Sequence, residues 1–467
     1  MSKINEFLKF EKDNNLFDYQ HKGVHFWALI RFGVYEYFFL ETKNAHPDSK
    51  NERFFNRFNF IKFIPEQIAK KSFIKKGDLF VSDNNIYKMI DNKRIDPYID
   101  FFKYGTFEAH NHTVFSAMLS NDIIYSGTND SWIIFKEYVY CLFNKVLRKL
   151  KLIKIPKEIV KFLDILKQKN INVPMNYEHH ILRSIFCFKL RKKFHMNLVK
   201  NKFKCIVLVD HYNVNHMSLC LAARELNIPS IELQHGIITC QHIAYNFFDV
   251  AMENKYLPQY IFTFGNYFND SMRLPNGTTS ISVGYPQMDF SLCKHKGIVQ
   301  DEKQIIFYSQ GTIGDKLSIL AINLAKLALC KNYVIKYKLH PSECKTWKRE
   351  YPHLVNEKII EVLDQPMNVH ELLASAKFHI GVNSTVLIEA LAFNGTVFVY
   401  NTSHDEIEYM ADFIKEGYMH SFEDENELLD LLANGPKNGD IDISKNLFKS
   451  NAIKNIDHEV KEIISRS

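Results

Sequence analysis

Two groups of polar residues stand where apolar runs end, and their types suit chemistry on a phosphorylated sugar. In the second half of the chain, FHIGVNSTVLIEALAFNGTVFVY (378–400) ends an apolar run at Gly381-Val382 and turns through Asn383, Ser384 and Thr385. It then enters an apolar helical pattern that carries one carboxylate, Glu389. The first N–H groups of a helix lack internal partners and face the positive end of its dipole, so Ser384 and Thr385 can offer hydroxyl and backbone donors to one phosphate. A carboxylate among apolar neighbours needs a partner, and sugar hydroxyls are good ones. The plainer alternative is that Asn383 or Ser384 only caps a core helix and Glu389 sits on its wet edge. Upstream lie a loop with Gly311, Thr312 and Gly314, and a turn formed by His340 and Pro341, each closing an apolar strand pattern. Glycine lets a phosphate approach the backbone, and histidine supplies a donor or a positive charge. The glycine loop alone is neither a dinucleotide fingerprint nor a Walker sequence, but the three features in this order describe a pocket for a nucleotide-activated sugar.

The first half holds the second group. Cys205–Asp210 reads as a buried strand followed by His211, and Ser230–Gly236 as a second strand ending in Gln234, His235 and Gly236. Asp210 and His235 are the catalytic candidates, and His211, Gln234 and Gly236 belong to the acceptor side. Either Asp210 or His235 deprotonates an acceptor hydroxyl in an inverting displacement, or Asp210 attacks as a nucleophile in a retaining double displacement. The plain alternative is Asp210 as a loop cap and His235 as a packed turn residue. The chain has no D-x-D after a strand, since Asp440 and Asp442 fall in a polar stretch, so neither a metal nor another cofactor is expected.

These residues need a scaffold that brings strand ends together. Apolar strand patterns alternate with helical ones from 205 to 290 and again from 304 to 440, which predicts an α/β fold of two Rossmann-like, doubly wound domains. In open sheets of this kind ligands bind beyond the carboxyl ends of the strands, where the candidates fall. The expected divisions are an acceptor-side domain over 1–290, a linker over 291–303, a nucleotide-sugar domain over 304–440, and a final helix within 441–467 that crosses back.

With 467 residues, 46% of them hydrophobic and 24% charged, the chain is long enough for two cores. Its eight cysteines show no C-x-x-C or zinc spacing and read as reduced core thiols. The N-terminal MSKINEFLKFEKDNN carries charge throughout, unlike a signal peptide, and no apolar run reaches membrane-spanning length, so a cytoplasmic location is expected. Net charge is +6, yet residues 145–204 hold 17 Lys and Arg against three acidic residues, a local balance of +14. Within 142–204 two basic amphipathic patterns are broken by Pro156. They suit either the anionic inner face of a membrane or a solvated helix face packed on its own domain. No nucleic-acid-binding module is recognisable.

The run Lys338-Leu-His340-Pro341, followed by Gly381-Val-Asn-Ser384-Thr385-Val-Leu-Ile-Glu389-Ala390, resembles the HP and S-S/T motifs of GT-B glycosyltransferases of bacterial surface polysaccharides. The nearest types are polysialyltransferase-like and capsule Kdo-transferase-like enzymes, with polyol-phosphate transferases of teichoic acid synthesis beside them. The turns Gln234-His235-Gly236 and Val283-Gly284-Tyr285-Pro286 resemble them too, and the likeness covers roughly residues 205–400. It implies two domains facing a central cleft, with His340, Ser384 and Thr385 on the donor's phosphate and nucleotide and Glu389 on its ribose. It also implies a CMP-Kdo or CMP-sialic-acid type donor and a glycan or glycolipid acceptor of capsule, O-antigen or lipooligosaccharide synthesis. The acidic D/E-D/E-G triplet of the polysialyltransferases is missing, which returns the search for a base to Asp210 and His235. Polyol-phosphate transfer from a CDP-polyol and nucleotide-sugar 2-epimerisation are the alternative reactions.

Overall fold

The computed structural model describes residues 2–40, 77–82, 88–90, 93–99, 112–115, 136–137, 139–140, 142–144, 153–311, 313–328, 332–365, 367–402, 408–434 and 446–466. The chain opens with helices α1 (Lys3–Asp13) and α2 (Phe26–Gly33), which bury Phe7, Leu8, Phe26 and Trp27 in one aromatic cluster. Arg31 lies inside this apolar layer, where its charge is neutralised by Glu11 through Nε at 2.5 Å and Nη2 at 2.8 Å. Arg31 also donates to the carbonyls of Ile243 and Asn246, so the N-terminal layer is tied to a loop far along the chain. A buried guanidinium is tolerated only when its donors are saturated in this way.

The first domain follows, with β1 (Leu79–Ser82), β2 (His112–Phe115), α3 (Lys157–Gln168), α4 (Tyr177–Val199), β3 (Cys205–Val209), α5 (Val214–Glu225) and β4 (Ser230–Leu233). It continues through β5 (Tyr260–Thr263), α6 (Asn266–Asp270), β6 (Thr279–Ser282) and α7 (Pro286–Lys294). The six strands are parallel, in the order β6-β5-β4-β3-β1-β2. Every residue of β3 is buried, as a parallel strand covered on both faces requires. Helix α5 begins four residues earlier than its apolar pattern suggests. The Asn213 side chain accepts the His216 N–H at 2.8 Å, and this cap draws residues 214–217 into the first turn.

The second domain comprises β7 (Asp301–Tyr308), α8 (Gly314–Ala328), β8 (Val334–Lys338), β9 (Glu361–Leu363), α9 (Val369–Ser375) and β10 (Ala376–Gly381). It is completed by α10 (Thr385–Ala392), β11 (Thr396–Tyr400), α11 (Ala411–Lys415), β12 (His420–Phe422) and α12 (Glu425–Asn434). Its strands are also all parallel, in the order β9-β8-β7-β10-β11-β12. The expected α/β class with two doubly wound parallel sheets is therefore the architecture of this chain.

The polar stretch 291–303 starts inside α7 and ends inside β7, so only residues 295–300 join the two units. After the second domain the chain returns to the first. Lys449 N–H donates to Phe264 O at 2.8 Å, Asn455 Nδ2 to Val283 O at 2.9 Å, and α13 (Ala452–Arg466) packs beside α7. One apolar cluster then runs through both domains, from Val207 and Ile231 to Ile306 and Leu387, and includes Ile456 and Val460 of α13. Among the described residues no helix is long and apolar enough to cross a membrane.

The apolar stripe of α3 is turned inward. Ile159, Phe162 and Leu166 are fully buried, and the Phe162 ring lies 5.3 Å from Phe26 and 5.5 Å from Trp27. The stripe is thus taken up by the N-terminal layer, leaving Lys157, Lys161 and Lys167 exposed. Residues 145–152, which carry the other basic pattern, lie outside the described residues.

Gly284 has φ = +102°, and a Cβ there would meet Lys449 O at 2.1 Å. Gly284→Ala should cost at least about 2 kcal/mol from the backbone conformation and the clash together. Urea unfolding should show this loss, with faster hydrogen exchange in residues 446–466; unchanged exchange there would contradict the docking described.

Candidate functional site

Each sheet has one place where the strand order reverses, and the loops beyond it diverge to leave a crevice. In the second sheet this lies between β7 and β10. Gln310, just past β7, and Asn383, just past β10, bridge it: Asn383 N–H donates to Gln310 Oε1 at 3.0 Å and the two side-chain amides pair. Ser384 caps α10 by accepting the Val386 N–H at 3.4 Å, while Thr385 at the first helical position is exposed. This crevice edge therefore carries the hydroxyls and the helix start that the sequence pattern indicated.

The neighbouring turn is organised by a carboxylate absent from the sequence-based set. Glu343 is buried, accepts Ser309 Oγ at 3.0 Å and Tyr351 OH at 2.5 Å, and takes the His340 N–H at 2.7 Å. It joins the loop after β7 to the turn after β8. His340 and Pro341 are exposed, and the His340 ring uses Nδ1 on Ser342 Oγ at 2.7 Å, with no partner for Nε2 among the described residues. A Cβ added to Gly311 would meet Glu343 Oε1 at 3.9 Å, an ordinary contact. Gly314 is crowded, because a Cβ there would meet Tyr351 OH at 2.1 Å and Glu343 Oε1 at 2.9 Å. Its role is to let α8 start against that pair. Thr312 lies outside the described residues.

Glu389 departs from expectation. It is buried in α10 and meets His370 Nε2 of α9 at 3.1 Å, while His370 Nδ1 lies 2.7 Å from Ser291 Oγ of α7. The partner its carboxylate needed is supplied by the protein, at the seam between the two domains. In this arrangement Glu389 braces the seam with a histidine against it.

In the first sheet the order reverses between β1 and β3. Asp210, the residue after β3, adopts a left-handed backbone conformation with φ = +66°, which is uncommon outside glycine and asparagine. The turn is held from both sides. His216 Nδ1 at 2.7 Å and Asn213 Nδ2 at 2.9 Å engage the Asp210 carbonyl, and the next N–H, of His211, donates to Glu232 Oε1 at 3.1 Å. Glu232 is wholly buried and also takes His211 Nδ1 at 2.7 Å and Tyr245 OH at 2.8 Å. Burial alone would push its carboxyl up, but His211, His235 and Tyr245 together bring it below the ordinary value. His211 is itself buried and serves this network.

Asp210 has the opposite bias. Burial pushes its carboxyl up and Glu232 adds to this, while the imidazoles of His235 and His216 oppose it, His235 more strongly. Among the described residues, the buried atoms Asp210 Oδ1 and His235 Nδ1 have no hydrogen-bond partner. His235 meets Tyr212 OH through Nε2 at 3.2 Å, and its carbonyl accepts Tyr98 OH at 2.5 Å. Asp210 and His235 are each half-buried, and an acid and an imidazole of this kind can take a proton from a hydroxyl or a water. Of the acceptor-side candidates, Gln234 belongs to the framework: it is buried, accepts Phe264 N–H at 2.8 Å and donates to Gly236 O at 2.8 Å. Gly236 is half-buried, and a Cβ added to it would meet nothing within 4 Å, so its surroundings are open.

The second domain reaches this neighbourhood. Tyr409 OH donates to Glu36 at 3.0 Å, and Cys240 Sγ donates to Asp412 Oδ2 at 2.8 Å. Among the described residues no group of three or more His, Cys, Asp or Glu side chains has a metal-binding arrangement. Glu232 carried a usable signal in the sequence, namely a lone carboxylate within an apolar parallel strand, the same signal that drew notice to Glu389. Glu343 had none beyond its place three residues after His340.

No protein-family model matches the chain, and no curated protein matches its sequence. Among solved structures, the UDP-GlcNAc 2-epimerase of Methanocaldococcus jannaschii is similar at 12% identity, over 82% of this chain and 99% of that one, with a TM-score of 0.47. The S. aureus MnaA–UDP co-structure is similar at 10% identity, over 83% and 97%, with a TM-score of 0.47. The wall teichoic acid polymerase TagF is similar at 11% identity, over 90% and 99%, with a TM-score of 0.44. The assignment of fold class rests on the sheet topology.

Because the Asp210 carboxyl is raised above its unfolded value, the ionised form burdens the folded state. Stability attributed to this group is full below the unfolded aspartate value and declines as pH rises through the folded one. Asp210→Asn should therefore gain on the wild type between about pH 4 and pH 7 and lose that advantage at lower pH. Urea unfolding of both proteins across this range reads the difference, and a constant gap would show that Asp210 ionisation is not penalised.

Proposed function

We propose that this chain is an enzyme that acts on a nucleotide-activated sugar, moving the sugar to a hydroxyl of a glycan or glycolipid acceptor. The observation that carries this reading is the pairing of two unlike strand-reversal points. The second domain presents N–H and hydroxyl donors at the start of α10, with His340 nearby, which suits a phosphate leaving group. The first domain presents Asp210 and His235 with unused buried atoms, which suits removal of the acceptor's proton.

In this reading the nucleotide phosphates rest against Ser384, Thr385, Gly311 and His340, whose donors are oriented before the substrate arrives. The acceptor hydroxyl enters between Asp210 and His235, and the pair takes its proton as the oxygen attacks the sugar's anomeric carbon. The bond to the phosphate oxygen breaks, and the charge on the leaving phosphate is met by the α10 donors. A CMP-activated acidic sugar of the Kdo or sialic acid type is the donor that the HP and S-T motifs favour. The exposed Lys157, Lys161 and Lys167 of α3 supply a basic surface for a lipid-linked acceptor at an anionic membrane. Binding of the chain to anionic vesicles should then weaken as salt is added, and salt-independent co-sedimentation would oppose this role.

Nucleotide release from a panel of CMP-, UDP-, GDP- and dTDP-sugars, with glycan acceptors, tests the main reading. Turnover should fall about 10²–10⁴-fold in His235→Ala, the usual range for loss of a general base, with the fold retained. No binding or turnover with any member of the panel would end the proposal. Interconversion of a free UDP-sugar without acceptor would assign the site to 2-epimerisation, and a phosphorus-bearing product from a CDP-polyol would assign it to polyol-phosphate transfer.

A further inference from the structure

Lys338 is the last residue of β8, in register beside Tyr308 of β7. Side chains alternate along a strand, and Ile335, Tyr337 and Leu339 all enter the cluster beneath α8. Lys336 and Lys338 therefore belong to the other face. Lys336 is half-buried and is paired with Glu361 at 3.2 Å. Lys338 is more deeply placed, at 8% exposure, and its one hydrogen bond among the described residues runs from Nζ to the Leu339 carbonyl at 2.8 Å.

The carboxylates nearest in influence are committed elsewhere. Glu343 serves Ser309, Tyr351 and the His340 N–H, and Asp364 accepts Trp347 Nε1 at 3.3 Å and Gln365 Nε2 at 3.0 Å. Neither forms an ion pair with Lys338. Burial pushes the Lys338 ammonium down from the usual lysine range, while Cys344, Glu343 and Asp364 oppose this from a distance. An ammonium has three N–H donors, and a buried one with a single neutral acceptor is costly unless an anion completes its surroundings.

That cation stands beside a donor of the same kind. His340 follows two residues later, in the exposed turn beyond the end of β8, so both donors lie at the carboxyl end of this strand. We infer that Lys338 binds a phosphoryl oxygen, with His340 on a second oxygen of the same anion. The anion's identity as a nucleotide phosphate rests on the reading given under Proposed function, whereas the existence of an anion site rests on Lys338 itself.

Calorimetric titration of the full chain with UDP, CMP and inorganic pyrophosphate tests the inference. Wild type should bind, and Lys338→Met should weaken each bound ligand at least 10-fold. The methionine fills a similar volume without a charge, so the unliganded variant should melt at the same temperature as wild type or higher. A lysine that only supports the fold would lower it. Equal nucleotide binding by both proteins overturns the role of Lys338 and leaves the nucleotide reading standing. Lys338-dependent binding of pyrophosphate without nucleotide binding keeps the anion site and removes the nucleotide reading. Binding of none of the three ligands removes both. Should Lys338→Met fail to fold, wild type carrying ¹³C-methylated lysines serves instead: the Lys338 signal should shift on addition of pyrophosphate, and a stationary signal overturns the inference.

Discussion

A single carboxylate, Glu232, holds the first domain's candidate site in shape. A fully buried charge in a parallel strand is tolerated only when several donors surround it, and Glu232 has the His211 N–H, the His211 ring and the Tyr245 hydroxyl. Each bond places a different piece of chain. The His211 bonds support the left-handed turn that presents Asp210, and the Tyr245 bond fixes the segment whose neighbouring carbonyls, on Ile243 and Asn246, accept from Arg31. Through Arg31 and Glu11 the network continues into the N-terminal helices, so residues without chemistry of their own help set the conformation of Asp210.

The two domains share a topology class but differ in electrostatic character. The first places a carboxylate and several imidazoles at the end of its sheet, where burial and mutual charge hold Asp210 and Glu232 in opposite directions. The second places donors there, in the start of α10, the paired amides of Gln310 and Asn383, and the His340 turn. Proton removal and phosphate stabilisation need environments of opposite sign. Two separate sheets can supply both across one cleft. The seam is braced by Glu389, His370 and Ser291, and by the returning C-terminal segment.

Much of this was legible in residue order. The apolar patterns of Cys205–Val209 and Phe378–Ile380 mark parallel strands, and the polar residues that follow them mark the ligand edge. Residues whose partners lie far away in sequence were read less well. Gln234 looked like a site residue because it precedes His235, yet its amide closes a framework link to Phe264. Gly314 looked like part of a phosphate loop, yet it is small because Tyr351 and Glu343 crowd it. The α3 pattern suited either a membrane face or packing on its own domain, and the Phe26–Trp27 layer from the start of the chain decides for packing of its apolar stripe.

The α/β class, the two repeating strand–helix units and the short polar stretches at which chemistry is possible follow from residue order alone. Local periodicity and strand-end composition carry that information, because each depends on neighbours within a few residues. Which polar groups were already satisfied emerged with the packing of the two sheets. Glu389 proved to be held by His370, Glu232 proved to be the centre of a network, and Asp210 Oδ1 and His235 Nδ1 proved to have no partner among the described residues. Satisfaction of a buried polar atom depends on groups that arrive from distant parts of the chain, so it is settled when the sheets and their crossing segments pack.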